Sequence, residues 1–142
     1  MEQTPTCLQI PWRQSNKILP ADGLGLKTIV VAGTTNQNQA PTKVLAVVAS
    51  NNDTIAHDVA MGVTDSANTF TILGTTTLPI NAGNVGSIPS VSLLNSIPAL
   101  PLDETGQAYV FLNPGDTLQV RCTIAPVSAG KEIDLVAFGA DF

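Results

Sequence analysis

Apolar and polar positions alternate in short runs along this chain, and Gly, Pro, Asn and Asp separate the runs. Alternation over four to eight residues is typical of a strand that buries one face, whereas a helix repeats its apolar positions every three to four residues. No sustained helical repeat occurs. Seven runs therefore predict strands, at residues 26–33, 42–50, 57–65, 68–78, 107–112, 116–125 and 131–142.

The run that follows Asp116 has one apolar face and one polar face, as expected of a half-buried antiparallel strand. Its apolar positions are Leu118, Val120, Cys122 and Ile124, and its polar positions are Thr117, Gln119, Arg121 and Thr123. The turn before it, Pro114-Gly115-Asp116, has the chemistry of a chain reversal, since Pro presets φ and Gly accepts positive φ. We expect this turn to close a hairpin between residues 107–112 and 116–125.

The last run has a second face that changes character along its length. One face carries Ile133, Leu135, Ala137 and Gly139, and the other begins with Glu132 and Asp134 and ends with Val136 and Phe138. This pattern predicts either burial on both sides near the carboxyl end or contact with another subunit.

Seven or eight short strands separated by turns predict an all-β fold, either an antiparallel β-sandwich or a barrel, over residues 26–142. Residues 1–25 contain Pro5, Pro11 and Pro20 and the single Trp of the chain, and they predict an extended amino-terminal arm. An aromatic side chain on such a segment is suited to anchor it on a partner. The candidate contact residues of the arm are Ile10, Trp12, Ile18 and Leu19.

No charged side chain occurs over the 37 positions from residue 66 to residue 102, although loops on a protein surface are usually polar. One interpretation is one or two buried strands with a loop that crosses the sandwich. The other is an interface with a second subunit or a partner. The candidate interface residues are Ile88, Val91, Leu93, Leu94, Ile97 and Leu100.

Charged residues make up 12% of the chain and hydrophobic residues 44%, where an average soluble domain is about 25% charged. Such a composition suits an obligate oligomer. The net charge of −5 with only six Lys or Arg argues against nucleic acid as a partner, because phosphate contacts need clustered basic residues. No apolar run reaches 18 residues, so no membrane partner is expected. Cys7 and Cys122 are expected to be reduced thiols, with Cys122 in the core.

Candidate chemistry is sparse. His57 is followed directly by Asp58, but neighbouring residues of a strand face opposite sides, and no nucleophile motif accompanies them. One His and two distant Cys do not make a zinc site. We therefore expect neither an enzyme nor a cofactor.

Three segments resemble a known group of proteins: ILPADGLGLKTIVVAG, NSIPALPLDETGQAYVFLNPGDTLQVRC and GKEIDLVAFGADF, within residues 18–34 and 95–142. The group is the capsid decoration, or cement, proteins of tailed bacteriophages. The resemblance implies a β-sandwich, jelly-roll-like, that is made in the host cytoplasm and binds the major capsid protein on the outer surface of the virion. It also implies a homotrimer that stabilises the head by bridging capsid subunits, with amino-terminal arms that reach neighbours.

Two other functions compete with this one. A receptor-binding or glycan-binding β-domain of a tail or fibre would need aromatic side chains at its loop tips, and aromatic residues are 4% of the chain. A metal enzyme with a cupin-like jelly roll would need several His, and the chain has one.

Overall fold

A computed structural model describes residues 10–32 and 41–141 of the chain. Its described residues form strands and one short 3-10 helix, Pro20–Asp22. The strands are β1 (Ile10–Ile18), β2 (Lys27–Val31), β3 (Thr42–Asn51), β4 (His57–Thr64), β5 (Phe70–Leu78), β6 (Val91–Ser92), β7 (Val110–Leu112), β8 (Thr117–Cys122) and β9 (Ile133–Asp141). Six of the seven predicted runs contain one of these strands, and the run 42–50 covers all of β3 except Asn51.

The strands form two antiparallel sheets that pack face to face, which confirms the predicted all-β sandwich. Sheet A has the order β1-β9-β3-β6, and β7 also pairs with β3. Sheet B has the order β2-β8-β4-β5. Inward-facing apolar side chains from both sheets meet in a single core, as in other sandwiches.

Strands from the first half of the chain pair with strands from the second half. The pairs are β1 with β9, β2 with β8, β3 with β7, and β4 with β5. The chain therefore folds like one long antiparallel ribbon whose successive segments lie in alternate sheets. Of the remaining pairings, β3 with β9 and β4 with β8 join the ribbon to itself within each sheet, and β6 also pairs with β3.

Alternation predicted the faces of the last two strands well. In β8, Leu118, Val120 and Cys122 are each 1% exposed or less, and burial raises the pKa of the Cys122 thiol. Ile124 was assigned to the same face, but the strand ends at Cys122 and Ile124 is 75% exposed, so that assignment is wrong.

The Pro114-Gly115-Asp116 turn is present but does not close a hairpin. Gly115 has φ +90°, and the Asp116 N–H donates to the Asn113 carbonyl at 3.0 Å. However, β7 lies in sheet A and β8 in sheet B, so the turn carries the chain across the sandwich. The predicted hairpin is wrong because turn chemistry specifies a local reversal and not the strand with which the next segment pairs.

The second half of the predicted arm lies inside the sandwich. Strand β1 pairs with β9 along its whole length, from Ile10 opposite Asp141 to Ile18 opposite Ile133. Ile18 is 1% exposed and belongs to the core. The sandwich domain therefore includes residues 10–25 as well as the predicted residues from 26 onward. Residues 1–9 of the predicted arm lie outside the described residues.

Gly139 of β9 lies directly between Trp12 of β1 and Lys43 of β3. A Cβ atom at this position would overlap the backbone carbonyl oxygen of Lys43 and would lie 2.5 Å from Cζ2 of Trp12. We expect Gly139→Ala to lower the free energy of unfolding by about 1–3 kcal/mol, because the backbone of a central strand has little room to move. Urea denaturation measures the change. Gly86→Ala is the control, since a Cβ there meets no atom within 4 Å; an equal loss for both variants would contradict the prediction.

Candidate functional site

The predicted contact residues of the arm divide between core and surface. Ile10 and Leu19 are 43% and 41% exposed, while Ile18 is buried. Trp12 packs against the core, and its indole N–H donates to Oδ1 of Asp141 at 3.0 Å. Trp12 thus holds β1 to the end of β9 within the same chain, and its role as an anchor on a partner stays a prediction.

The predicted interface of the uncharged stretch is mostly core. The segment closes the side of the sandwich next to β5, where Ile97 packs against Gly74. Leu93, Leu94, Ile97 and Leu100 are 9% exposed or less, so their assignment to an interface is wrong and the alternative of burial holds for them. Val91 packs against the core, and Ile88 is half-buried. An uncharged stretch identifies burial, but it does not distinguish burial within one chain from burial between chains.

The outer face of sheet A carries apolar side chains at its centre and the charged side chains of Arg13, Lys17, Lys43 and Asp134 around them. In its centre Phe138 is 40% exposed beside Ala46, and Val136 lies opposite Val48. Phe111 and Leu102, at the β7 end, are 51% and 62% exposed. We call this surface the aromatic face; it comprises Ala46, Val48, Leu102, Tyr109, Phe111, Val136 and Phe138. The sequence signal for it was the apolar second face of the last strand.

The outer face of sheet B is polar by comparison. Thr64 donates a hydrogen bond to the side-chain carbonyl of Gln119, whose amide donates to Thr28 Oγ1 at 2.9 Å. Thr77 donates to Asp58 at 2.6 Å. Ile72 is 51% exposed, and Phe70, two residues before it on β5, packs over Gly62. The two faces of the sandwich therefore differ in what they can contact.

A pocket of about 510 Å³ lies at the β7 end of the aromatic face, where it is lined by Lys43, Leu102, Asp103, Glu104, Thr105 and Tyr109. The ammonium of Lys43 lies 4.5 Å from the centre of the Tyr109 ring, a cation–π distance. The Thr105 hydroxyl donates to Oδ1 of Asp103 at 2.7 Å, and hydrogen bonds from Thr105 and Gln107 hold the pKa of Asp103 below its usual value.

A buried polar cluster at one end of the sandwich joins three segments of chain. His57 Nε2 lies 2.7 Å from Oδ2 of Asp53, and both side chains are almost fully buried. The Ser128 N–H also donates to Oδ2, at 2.8 Å, and the Thr54 N–H donates to Oδ1 at 2.6 Å. Burial raises the pKa of Asp53, but these hydrogen bonds outweigh it and hold that pKa well below its usual range.

The order of groups in this cluster does not suit nucleophilic catalysis. A Ser-His-Asp site places the histidine between the serine and the carboxylate, so that the ring can take the serine proton. Here the carboxylate of Asp53 lies between His57 and Ser128. The cluster ties the loop after β3 to the loop before β9, which is a structural role that sequence reasoning did not assign to Asp53.

Within residues 10–32 and 41–141, no three His, Cys, Asp or Glu side chains are grouped so as to hold a metal ion. In the same ranges no helix is long and apolar enough to cross a bilayer. No family model, curated protein or solved structure matches the chain.

Proposed function

We propose that this chain is a structural protein of a bacteriophage virion that binds the major capsid protein on the outer capsid surface and bridges capsid subunits. The single observation that carries the proposal is the aromatic face: a folded sandwich leaves three of its chain's six aromatic side chains on the outside of one sheet. A contiguous exposed apolar surface is typical of a chain that completes its burial by assembly.

Strand order supports the jelly-roll-like part of the proposal. A jelly roll is a two-sheet sandwich in which an antiparallel ribbon is wound so that its two halves pair across both sheets. The pairs β1·β9, β2·β8, β3·β7 and β4·β5 follow that scheme. Viral capsid and lectin domains both use it, so the strand order is compatible with a virion role without selecting it.

Bridging explains how a small domain with few charged residues stabilises a head. When an oligomer holds two or more capsid-binding surfaces, the second contact forms at a high effective concentration, and weak single contacts add to a tight attachment. The oligomer then links the subunits it contacts. The homotrimer implied by the resemblance remains a prediction, and a pair of chains would bridge capsid subunits by the same principle.

Binding to capsids tests the proposal. Purified chain is mixed with emptied heads of the phage or prophage that carries the gene, and the heads are sedimented. We expect saturable binding at a fixed number of copies per head and a higher temperature of head disruption. The Leu94→Asp variant, which we expect not to fold, serves as the control for non-specific adhesion. Absence of binding at tens of micromolar chain would contradict a cement role.

One observation favours a second candidate, a glycan-binding module. The pocket beside Tyr109 combines an aromatic ring with carboxylates and a hydroxyl, and such a combination can stack on a sugar ring and accept hydrogen bonds from its hydroxyls. Glycan-array binding that Tyr109→Ala abolishes, with no binding to heads, would favour this candidate over the capsid role.

A further inference from the structure

The aromatic face carries opposite charges at its two edges. On the β1 edge, Arg13 lies opposite Phe138 and is exposed. On the β7 edge, Glu104 lines the pocket that contains Lys43 and Tyr109 and is also exposed. Neither Arg13 nor Glu104 forms an ion pair with any other described residue. Lys17, which is also on β1, is by contrast paired with Glu132 at 3.0 Å.

This arrangement is complementary to itself. A two-fold axis that runs parallel to the strands, through the centre of the face, places the Arg13 edge of one copy against the Glu104 edge of the other. The same rotation brings Phe138 of each copy toward the centre of the contact, where apolar side chains belong in an interface. Interfaces of this kind, in which the same surface is used on both sides, are the most frequent in soluble homo-oligomers.

The size of the face is adequate for such a pair. Strands β1, β9 and β3 are nine or ten residues long, and the short strands β6 and β7 share the fourth position beside β3. At about 4.8 Å between strands, the sheet covers roughly 19 by 30 Å before the surface of the side chains is counted. A stable interface buries about 800 Å² of accessible surface on each partner, and that value includes the surface of the side chains. Aligned packing of two sheets about 10 Å apart is a common geometry in β-sandwiches.

From these observations we infer that the aromatic face binds the same face of a second copy of this chain, with Arg13 of each copy against Glu104 of the other. The inference extends the proposed function, because a pair presents two copies of any capsid-binding surface. It does not depend on capsid binding, since the contact involves this chain alone.

Molecular mass in solution tests the inference. Light scattering after size exclusion is expected to give twice 14.7 kDa for the unaltered chain. Phe138→Asp is expected to weaken the dimer at least 100-fold and to give a single chain mass at micromolar concentration, while circular dichroism remains that of a folded β protein. Ile72→Asp is the matched control, because Ile72 is 51% exposed on the outer face of the other sheet, and we expect it to leave the mass unchanged.

Charge-reversal variants test the pairing of Arg13 with Glu104 of the second copy. Arg13→Glu or Glu104→Arg alone places like charges together at two symmetric positions and is expected to raise the dimer dissociation constant about tenfold. The double variant restores opposite charges and is expected to return the constant to within about threefold of the original. A double variant as weak as the sum of the single variants would overturn the assigned pairing.

Two outcomes would overturn the inference as a whole. One is a mass of 14.7 kDa for the unaltered chain at tens of micromolar. The other is an oligomer whose mass Phe138→Asp does not change. If that oligomer has the mass of three chains, it would support the trimer implied by the resemblance and exclude the two-fold contact. Dimers that fail to bind heads would instead contradict the capsid role and leave the inference intact.

Discussion

Leu94→Asp is expected to abolish folding of the chain. Leu94 is 0% exposed and lies in the core cluster, in the segment that closes the side of the sandwich. A carboxylate there would lie in a cluster of apolar side chains. Burial of an unpaired charge costs several kcal/mol, which is comparable with the whole stability of a typical domain of about 5–15 kcal/mol. Far-UV circular dichroism and limited proteolysis measure the loss.

Ile80→Asp is the control for this substitution, since Ile80 belongs to the same uncharged stretch but is 43% exposed. We expect Ile80→Asp to fold and to unfold within about 0.5 kcal/mol of the unaltered chain. A Leu94→Asp variant that is a well-folded monomer would contradict the prediction, and would restore the interpretation of Leu94 as a subunit contact.

Asp53→Asn is expected to lower the free energy of unfolding by about 3 kcal/mol at pH 7, because the change breaks a buried pair. The amide can accept through only one of its two oxygen positions, so its NH₂ group faces the N–H of either Thr54 or Ser128. Urea denaturation measures the change. Asp58→Asn is the control: Asp58 accepts a hydrogen bond from Thr77 at the surface, and we expect a loss below about 1 kcal/mol.

The difference in stability between the unaltered chain and Asp53→Asn is expected to depend on pH. The pKa of Asp53 in the folded chain lies below its value of about 3.8 in the unfolded chain, so the unfolded state binds the proton more tightly. The contribution of Asp53 to stability is therefore complete above about pH 5, and it is lost as the pH falls through 3.8 and below. We expect the difference between the unaltered chain and Asp53→Asn to shrink between pH 5 and pH 3. A difference that grows in this range would contradict the assigned role.

Strand β1 shows why sequence reasoning missed one element. Its inward positions include Gln14 and Asn16, and Pro11 lies near its start, so the alternation of apolar and polar residues is weak. The structure satisfies one of these inward polar groups across the sandwich, because the Asn16 amide donates to the Ile29 carbonyl of β2 at 3.2 Å. A pattern that counts apolar residues cannot detect a strand whose inward side chains are held by hydrogen bonds to the other sheet.

The sequence did not predict the buried cluster around Asp53 for a different reason. His57 and Asp53 were visible four residues apart, but the third contact comes from Ser128, which is 75 residues away. Contacts at such separations depend on how the loops of the two sheets meet, and no local property of the residues specifies that.

Local chemistry alone determined the all-β class, the position of seven strands, the inward faces of β8 and β9 and the turn at Gly115, because each depends on the period of two and on the φ preferences of a few residues. Only the tertiary structure decided that this turn crosses between sheets, that β1 belongs to the sandwich, and that Leu94 is core while Phe138 is surface. The reason is that transfer of any apolar side chain out of water is favourable and has no preferred direction. The packing of the whole chain determines which residues cover that side chain.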